Sequence, residues 1–287
     1  MARDAIDENQ AEDALGRIRA MRSHEECNVC RDYFTSLVDA SCRAAMVGWC
    51  YTVVDALGFS RETVGIAAST FDRYLSSGRG RSAEALRDRH RFQLASITAF
   101  YMAIKLHEPV QLGVRELVRL CRGFYEERAI VEMELDILQA LEWRVCVSAT
   151  TPLDYVRHFV RLTPKPASAA DAILENAAKY AECAVADLAF SACRASAVGV
   201  ACLAGALNDT EALTPLEKEG IWHHLAAKVD FDIASPEARK VERQLLPKSK
   251  WSVSATQKRP SLSRSSSGVE SIGGQPSSPV SVLERTP

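Results

Sequence analysis

The chain has 287 residues, room for two domains of ordinary size, and its 35 Lys plus Arg against 37 Asp plus Glu leave a formal net charge of -2. That balance provides no broad basic field for nucleic acid, no run approaches the length of a membrane span, and the acidic, polar start MARDAIDENQAED is unlike a signal or transit peptide. Nine cysteines, an odd number scattered mostly along helical stripes, read as reduced thiols used as small apolar residues rather than as a disulfide framework.

In chain order the pattern is helix after helix. Residues 1–38 mix acidic and basic side chains and are expected to hold an amphipathic helix from Val29 to Val38. A first bundle follows over residues 39–147. Its first helix runs from Asp39 to Leu57 and stops at Gly58, a good C-cap; Ser60, followed by Glu62 and Thr63, opens a second that ends near Ser77-Gly78. The next stretch, GRGRSAEALRDRHR, is unusually basic; it reads as a solvated loop in preference to a phosphate contact. The third helix, Phe92 to Leu106, carries Ala95, Ala99 and Ala103 every four residues, so neighbouring helices can approach it closely.

Ala197, Ala201, Ala204 and Gly205 echo that small-residue spacing in the second half, residues 148–247, and suggest a second bundle around its own central helix. Its helices are expected at Pro152 to Leu162, Ser168 to Leu188, Ala192 to Leu207, Pro215 to Val229 and Pro236 to Leu246. Thr151-Pro152, Thr214-Pro215 and Ser235-Pro236 each set a capping hydroxyl before a proline at the first helical position. From residue 248 to 287 Ser, Pro and Gly dominate, so a disordered tail is expected. Within it Ser278-Pro279 and Thr286-Pro287 are candidate sites for proline-directed kinases.

Charge placement is the sharpest signal. Arg43 falls in line with Met46, Val47, Cys50, Val54 and Leu57 on one helical face. Asp72 flanks the stripe of Val64, Ala68, Phe71 and Leu75, and Glu134 lies amid Ile130, Val131, Ile137, Leu138 and Leu141. Lys105 is the only charge between Phe92 and Leu106. An isolated buried ion costs several kcal/mol, so these charges must pair or be offered to another molecule.

Catalytic signatures are missing: the chain has no Gly-rich phosphate loop, nucleophile elbow or metalloprotease His pair, and no enzymatic activity or cofactor is expected. Cys27 and Cys30, after His24, have metal-ligand spacing but lack a second Cys pair. The adjacent His223 and His224 point about 100° apart on a helix. No metal is expected at either place.

The charged residues also carry a resemblance. Cys42-Arg43-Ala44-Ala45-Met46-Val47-Gly48-Trp49 resembles the opening of the cyclin box, and Phe71-Asp72-Arg73-Tyr74-Leu75-Ser76 its second-helix motif. Ala103-Ile104-Lys105-Leu106-His107-Glu108 is similar to the end of its third helix. Glu132-Met133-Glu134, with Ile137-Leu138 and Leu141-Glu142-Trp143, is similar to its fifth. Thr151-Pro152-Leu153-Asp154-Tyr155 and His158-Phe159 then resemble the start of the second box of D-type cyclins. The motifs arrive in the family's order over roughly residues 20 to 246.

This resemblance implies an all-α fold of two tandem five-helix cyclin boxes, with an N-terminal helix before them and the tail after them. It implies that Arg43 and Asp72 pair within the first box, and that Lys105 and Glu134 face a cyclin-dependent protein kinase, activating it allosterically in the nucleus and cytoplasm. Kinase substrates or inhibitors are further partners it suggests; nucleic acid and membrane are not. Cys42, Ala45, Met46, Trp49 and Thr52 stand where mitotic cyclins build a substrate-docking patch, which would here be shallower and less acidic. The D-type motif for retinoblastoma binding has no match, and neither do a destruction box or Lys-Glu-Asn, so a G1-like or environment-responsive cyclin is expected. The competing readings are a cyclin-fold scaffold that does not activate a kinase and, behind it, a transcription-factor-type cyclin-fold protein.

Overall fold

Caps and glycines set the helix boundaries of the first bundle much as the sequence suggests. The structure is a computed structural model and describes residues 8–25, 30, 33–35, 37–110, 112–145 and 150–247. After α1 (Glu8–His24), helix α2 (Ala40–Leu57) starts where the Asp39 carboxylate accepts the Cys42 N–H at 3.0 Å. It ends at Gly58, whose φ of 68° only a glycine adopts without strain. Helix α3 (Glu62–Ser77) ends likewise at Gly78, α4 (Ser82–Ala85) is a single turn within the basic stretch, and α5 (Arg89–His107) is capped by Asp88. The bundle closes with α6 (Val114–Leu120) and α7 (Glu127–Ala140).

Helix α5 is the hub. All its residues from Phe92 to Ile104 are buried, with α3 and α7 laid along it. Such a helix has no polar face, and its alanines let the neighbours close in without leaving voids. The second bundle repeats the plan: α8 (Pro152–Leu162), α9 (Ala167–Ala186), a 3-10 turn at Leu188–Phe190, α10 (Ala195–Asp209), α11 (Pro215–Lys228) and α12 (Pro236–Leu245). Here α10 is the hub, buried from Ser196 to Leu207 and packed by α8, α9 and α12. A Cβ at Gly205 would overlap the Tyr180 ring, so the close approach of α9 requires glycine there. Thr151 and Thr214 form reciprocal capping boxes with Asp154 and Glu217, and Ser235 accepts the Ala238 N–H at 3.2 Å.

The expected helix from Val29 to Val38 does not form. Its described residues, Cys30, Tyr33, Phe34, Thr35, Leu37 and Val38, are non-helical. Thr35 Oγ1 takes the N–H groups of Leu37 at 3.3 Å and Val38 at 3.1 Å, a local turn that competes with helix. The N-terminal helix is α1 instead, and it seats Ala14 and Ile18 in the core of the second bundle, against α8. Among the described residues, two of the five arginines of the basic stretch pair with acids, Arg79 with Glu142 and Arg91 with Glu84, and Arg89 donates to the Leu37 carbonyl at 3.0 Å. The tail, with Ser278 and Thr286, lies outside the described residues. Among those described, no helix is long and apolar enough to cross a membrane.

Candidate functional site

The misplaced charges sort into two pairs of different character. Arg43 on α2 and Asp72 on α3 are 2% and 1% exposed. They meet as a fork, Nε to Oδ1 at 2.8 Å and Nη2 to Oδ2 at 2.7 Å. Two further groups complete the arrangement. The Tyr33 hydroxyl donates to Asp72 Oδ1 at 2.7 Å, and Arg43 Nη1 donates to the Val185 carbonyl at 2.8 Å. Val185 lies in the last turn of α9, where carbonyls lack helical partners, so a guanidinium of the first bundle caps a helix of the second. Burial disfavours the Arg43 cation, but the Asp72 charge and its hydrogen bonds outweigh that and raise its pKa further above the usual range. Burial, then the Asp72 charge, likewise raises the Tyr33 phenol, which stays a donor.

The same seam holds two more ionic links. Arg61, before α3, reaches Glu182 of α9 at 2.7 and 2.8 Å and Asp55 at 2.5 and 2.6 Å, with its guanidinium 4.5 Å over the Tyr51 ring. Arg157 of α8 grips Glu62 of α3 at 2.5 and 2.6 Å. On the far side, Glu25 is 2% exposed and takes the N–H of Ser196 at 2.5 Å and its hydroxyl at 2.9 Å, closing the N-terminus of α10. Sequence reasoning missed Tyr33, Glu25 and Val185. A hydroxyl or carbonyl joined to a partner 39 or 142 positions away leaves no periodic trace.

Lys105, in the last turn of α5, meets Glu134 of α7 in direct contact, and here the side chains are 32% and 18% exposed. The ammonium also sits 4.6 Å from the centre of the Tyr101 ring. Exposed apolar residues rim the pair: Leu106 follows Lys105 in the chain, and Val131 and Leu135 lie a turn apart on α7 beside Glu134, at 46%, 52% and 48% exposure. An ammonium carries three donors, so Lys105 has hydrogen bonds to offer beyond Glu134. Glu108, three residues on, turns inward to the Ser60 N–H at 3.0 Å and to the Thr63 hydroxyl.

The five residues at the substrate-patch positions divide between core and surface. Cys42, Met46 and Trp49 are buried, Trp49 edge-on to Phe100 at 5.9 Å, and only Ala45 and Thr52 reach the surface in part. Thr52 turns its hydroxyl to the Gly48 carbonyl at 3.1 Å. Cys42, Met46 and Trp49 are part of the core of the first bundle. Among the described residues, no group of three or more His, Cys, Asp or Glu could hold a metal ion. Cys27 lies outside them, and the Cys30 thiol is pushed up to about 12 by burial and then by the Asp72 charge.

The fold is thus two helical bundles locked by a buried ionic seam, with a second ion pair at the surface beside exposed apolar side chains. Residues 17–146, from within α1 through the first bundle, match the model of the cyclin N-terminal domain, so this part of the chain is similar to that domain. G2/mitotic-specific cyclin-B3 of Canis lupus familiaris is 30% identical over 164 residues, covering 54% of this chain and 11% of that protein. G1/S-specific cyclin-D1 of Mus musculus is 25% identical over 177 residues, covering 60% of this chain and 57% of cyclin-D1. The chain therefore spans less than two thirds of the length of either relative. Among solved structures, a viral cyclin from herpesvirus saimiri superposes with a TM-score of 0.60 at 16% identity, over 81% of this chain and 96% of its own, a likeness of fold across both bundles.

Proposed function

We propose that this chain is a regulatory subunit that binds a cyclin-dependent Ser/Thr protein kinase and activates it allosterically, without supplying a reacting group. The observation that carries this reading is the Lys105–Glu134 pair, brought together from α5 and α7, left partly open to solvent and rimmed by Leu106, Val131 and Leu135. Charges flanked by exposed apolar side chains give a partner both orientation and buried area. Contact there with the kinase helix that carries its catalytic glutamate would favour the active arrangement, in which the Lys–Glu pair of the kinase forms and its activation loop orders. The finer reading, a G1 or environment-responsive role in cell-cycle progression in the nucleus and cytoplasm, draws support from the D-like run Thr151-Pro152-Leu153-Asp154-Tyr155. With Cys42, Met46 and Trp49 buried, substrates would reach the complex without a peptide groove on α2.

A scaffold that binds a kinase without activating it is the second reading, favoured by Glu108, which is committed to α3 and so withdrawn from a partner. Both readings are tested by recovering kinases from cell extract with the wild-type chain and with a Lys105→Ala/Glu134→Ala variant of matched circular dichroism, then assaying bound kinase activity. Activity with wild type and none with the variant is the expected result. Equal recovery of an inactive kinase by both would replace activation with scaffolding, and recovery of no kinase by either would remove the proposal.

A further inference from the structure

Lys105 has an unusual neighbour. Tyr101 lies four residues before it on α5, the spacing that stacks side chains on one helical face. Its ring presents a face to the ammonium with 4.6 Å between nitrogen and ring centre. The ring is fixed, only 8% exposed and held in the core of the first bundle, whereas the lysine it meets is 32% exposed on a stem of four flexible bonds.

A single ion pair at that exposure is a poor clamp, since water screens the attraction and the stem is free to swing about the carboxylate. Two anchors are another matter. With Glu134 holding one donor and the aromatic face accepting the cation's charge, the ammonium is confined and its remaining donors keep one direction. Burial, and then the charges of Glu134 and Glu116, raise the phenol's pKa, so the ring stays neutral and its face remains attractive to a cation.

We propose that Tyr101 is a positioning residue for the kinase contact: it pre-sets the Lys105 ammonium, with Glu134, in the geometry the partner kinase requires. This rests on the reading of Lys105 as a kinase contact. Tyr101 need not touch the kinase. It lowers the cost of ordering Lys105 by meeting that cost within the free protein.

The test uses the full chain and cyclin-dependent kinases of the source organism, purified one by one. Tyr101→Leu keeps apolar bulk in the core but removes the aromatic face, and it raises the dissociation constant about three- to tenfold. Tyr101→Phe keeps the face and retains wild-type affinity. In a Lys105→Met background the change at Tyr101 has no further effect on binding, because the residue it positions is gone. A role in folding alone would weaken both backgrounds alike. Independently of any kinase, ring current shifts the Lys105 ε-methylene protons upfield of the other lysines in the wild-type and Phe proteins, but not in the Leu variant.

Unshifted Lys105 methylene protons in the folded wild-type protein overturn the proposal even where the Leu variant fails to fold. Equal kinase affinity in wild type and Tyr101→Leu overturns it while leaving the kinase reading intact. A wild-type chain that binds none of the kinases overturns both.

Discussion

Arg43–Asp72 and Lys105–Glu134 arise from one sequence signal, a charge set on an apolar helical stripe, and end as opposites. In the first, Arg43 donates through Nε, Nη1 and Nη2, Asp72 accepts from both Arg43 and Tyr33, and the pair is almost sealed from water. In the second, one carboxylate and one ring hold a cation at the surface, which keeps donors in reserve. A buried charge pair retains its stability only if it is fully satisfied, so the first belongs to the frame. The second can serve a partner because its charge is left incompletely used.

The contrast is sharpest if the buried pair is broken. Asp72→Ala leaves the Arg43 cation and the Tyr33 hydroxyl buried without their acceptor, and should cost about 3–5 kcal/mol, read from urea unfolding. A loss no larger than that of a surface pair would erase the distinction between the two sites. Glu25→Ala tests whether the far side of the second bundle depends on the same logic: the Ser196 N–H and hydroxyl lose their acceptor, for a loss of about 1–3 kcal/mol. Hydrogen exchange should localise that loss to α1 and the start of α10. Lys105→Ala/Glu134→Ala should move stability by less than about 1 kcal/mol, while kinase binding is lost. A large thermal destabilisation there would make this pair structural as well.

The smallest effect concerns the cap of α2. Asp39 is held at about 2, below its ordinary 3.8, first by the Ser41 hydroxyl and then by the Cys42 N–H. Because the folded pKa is the lower one, its contribution is complete above about pH 4 and disappears as pH falls through about 2. Carboxyl NMR titration of wild type checks the value, and Ser41→Ala should bring it back toward 3.8.

Much of the helical plan was legible because caps and spacing are local. Gly58, Gly78, Thr151, Thr214 and Ser235 mark the very boundaries observed, and α8 spans Pro152–Leu162 as its sequence suggests. The failed helix from Val29 to Val38 has a different lesson. Its apolar residues are anchors for distant surfaces: the Cys30 N–H goes to the Ser191 carbonyl at 3.0 Å and Tyr33 to Asp72. Periodicity alone does not separate such anchors from a helical stripe.

By itself the sequence determined that helices would form, where most of them begin and end, and that Arg43, Asp72, Lys105 and Glu134 needed partners, because propensity, capping and the cost of a buried charge are set within a few residues. Only the tertiary structure decided which pair would be sealed and which left open. That depends on what packs over each one: Tyr33 and the end of α9 close around Arg43 and Asp72, while beyond Lys105 and Glu134 the chain leaves a rim of Leu106, Val131 and Leu135 facing solvent.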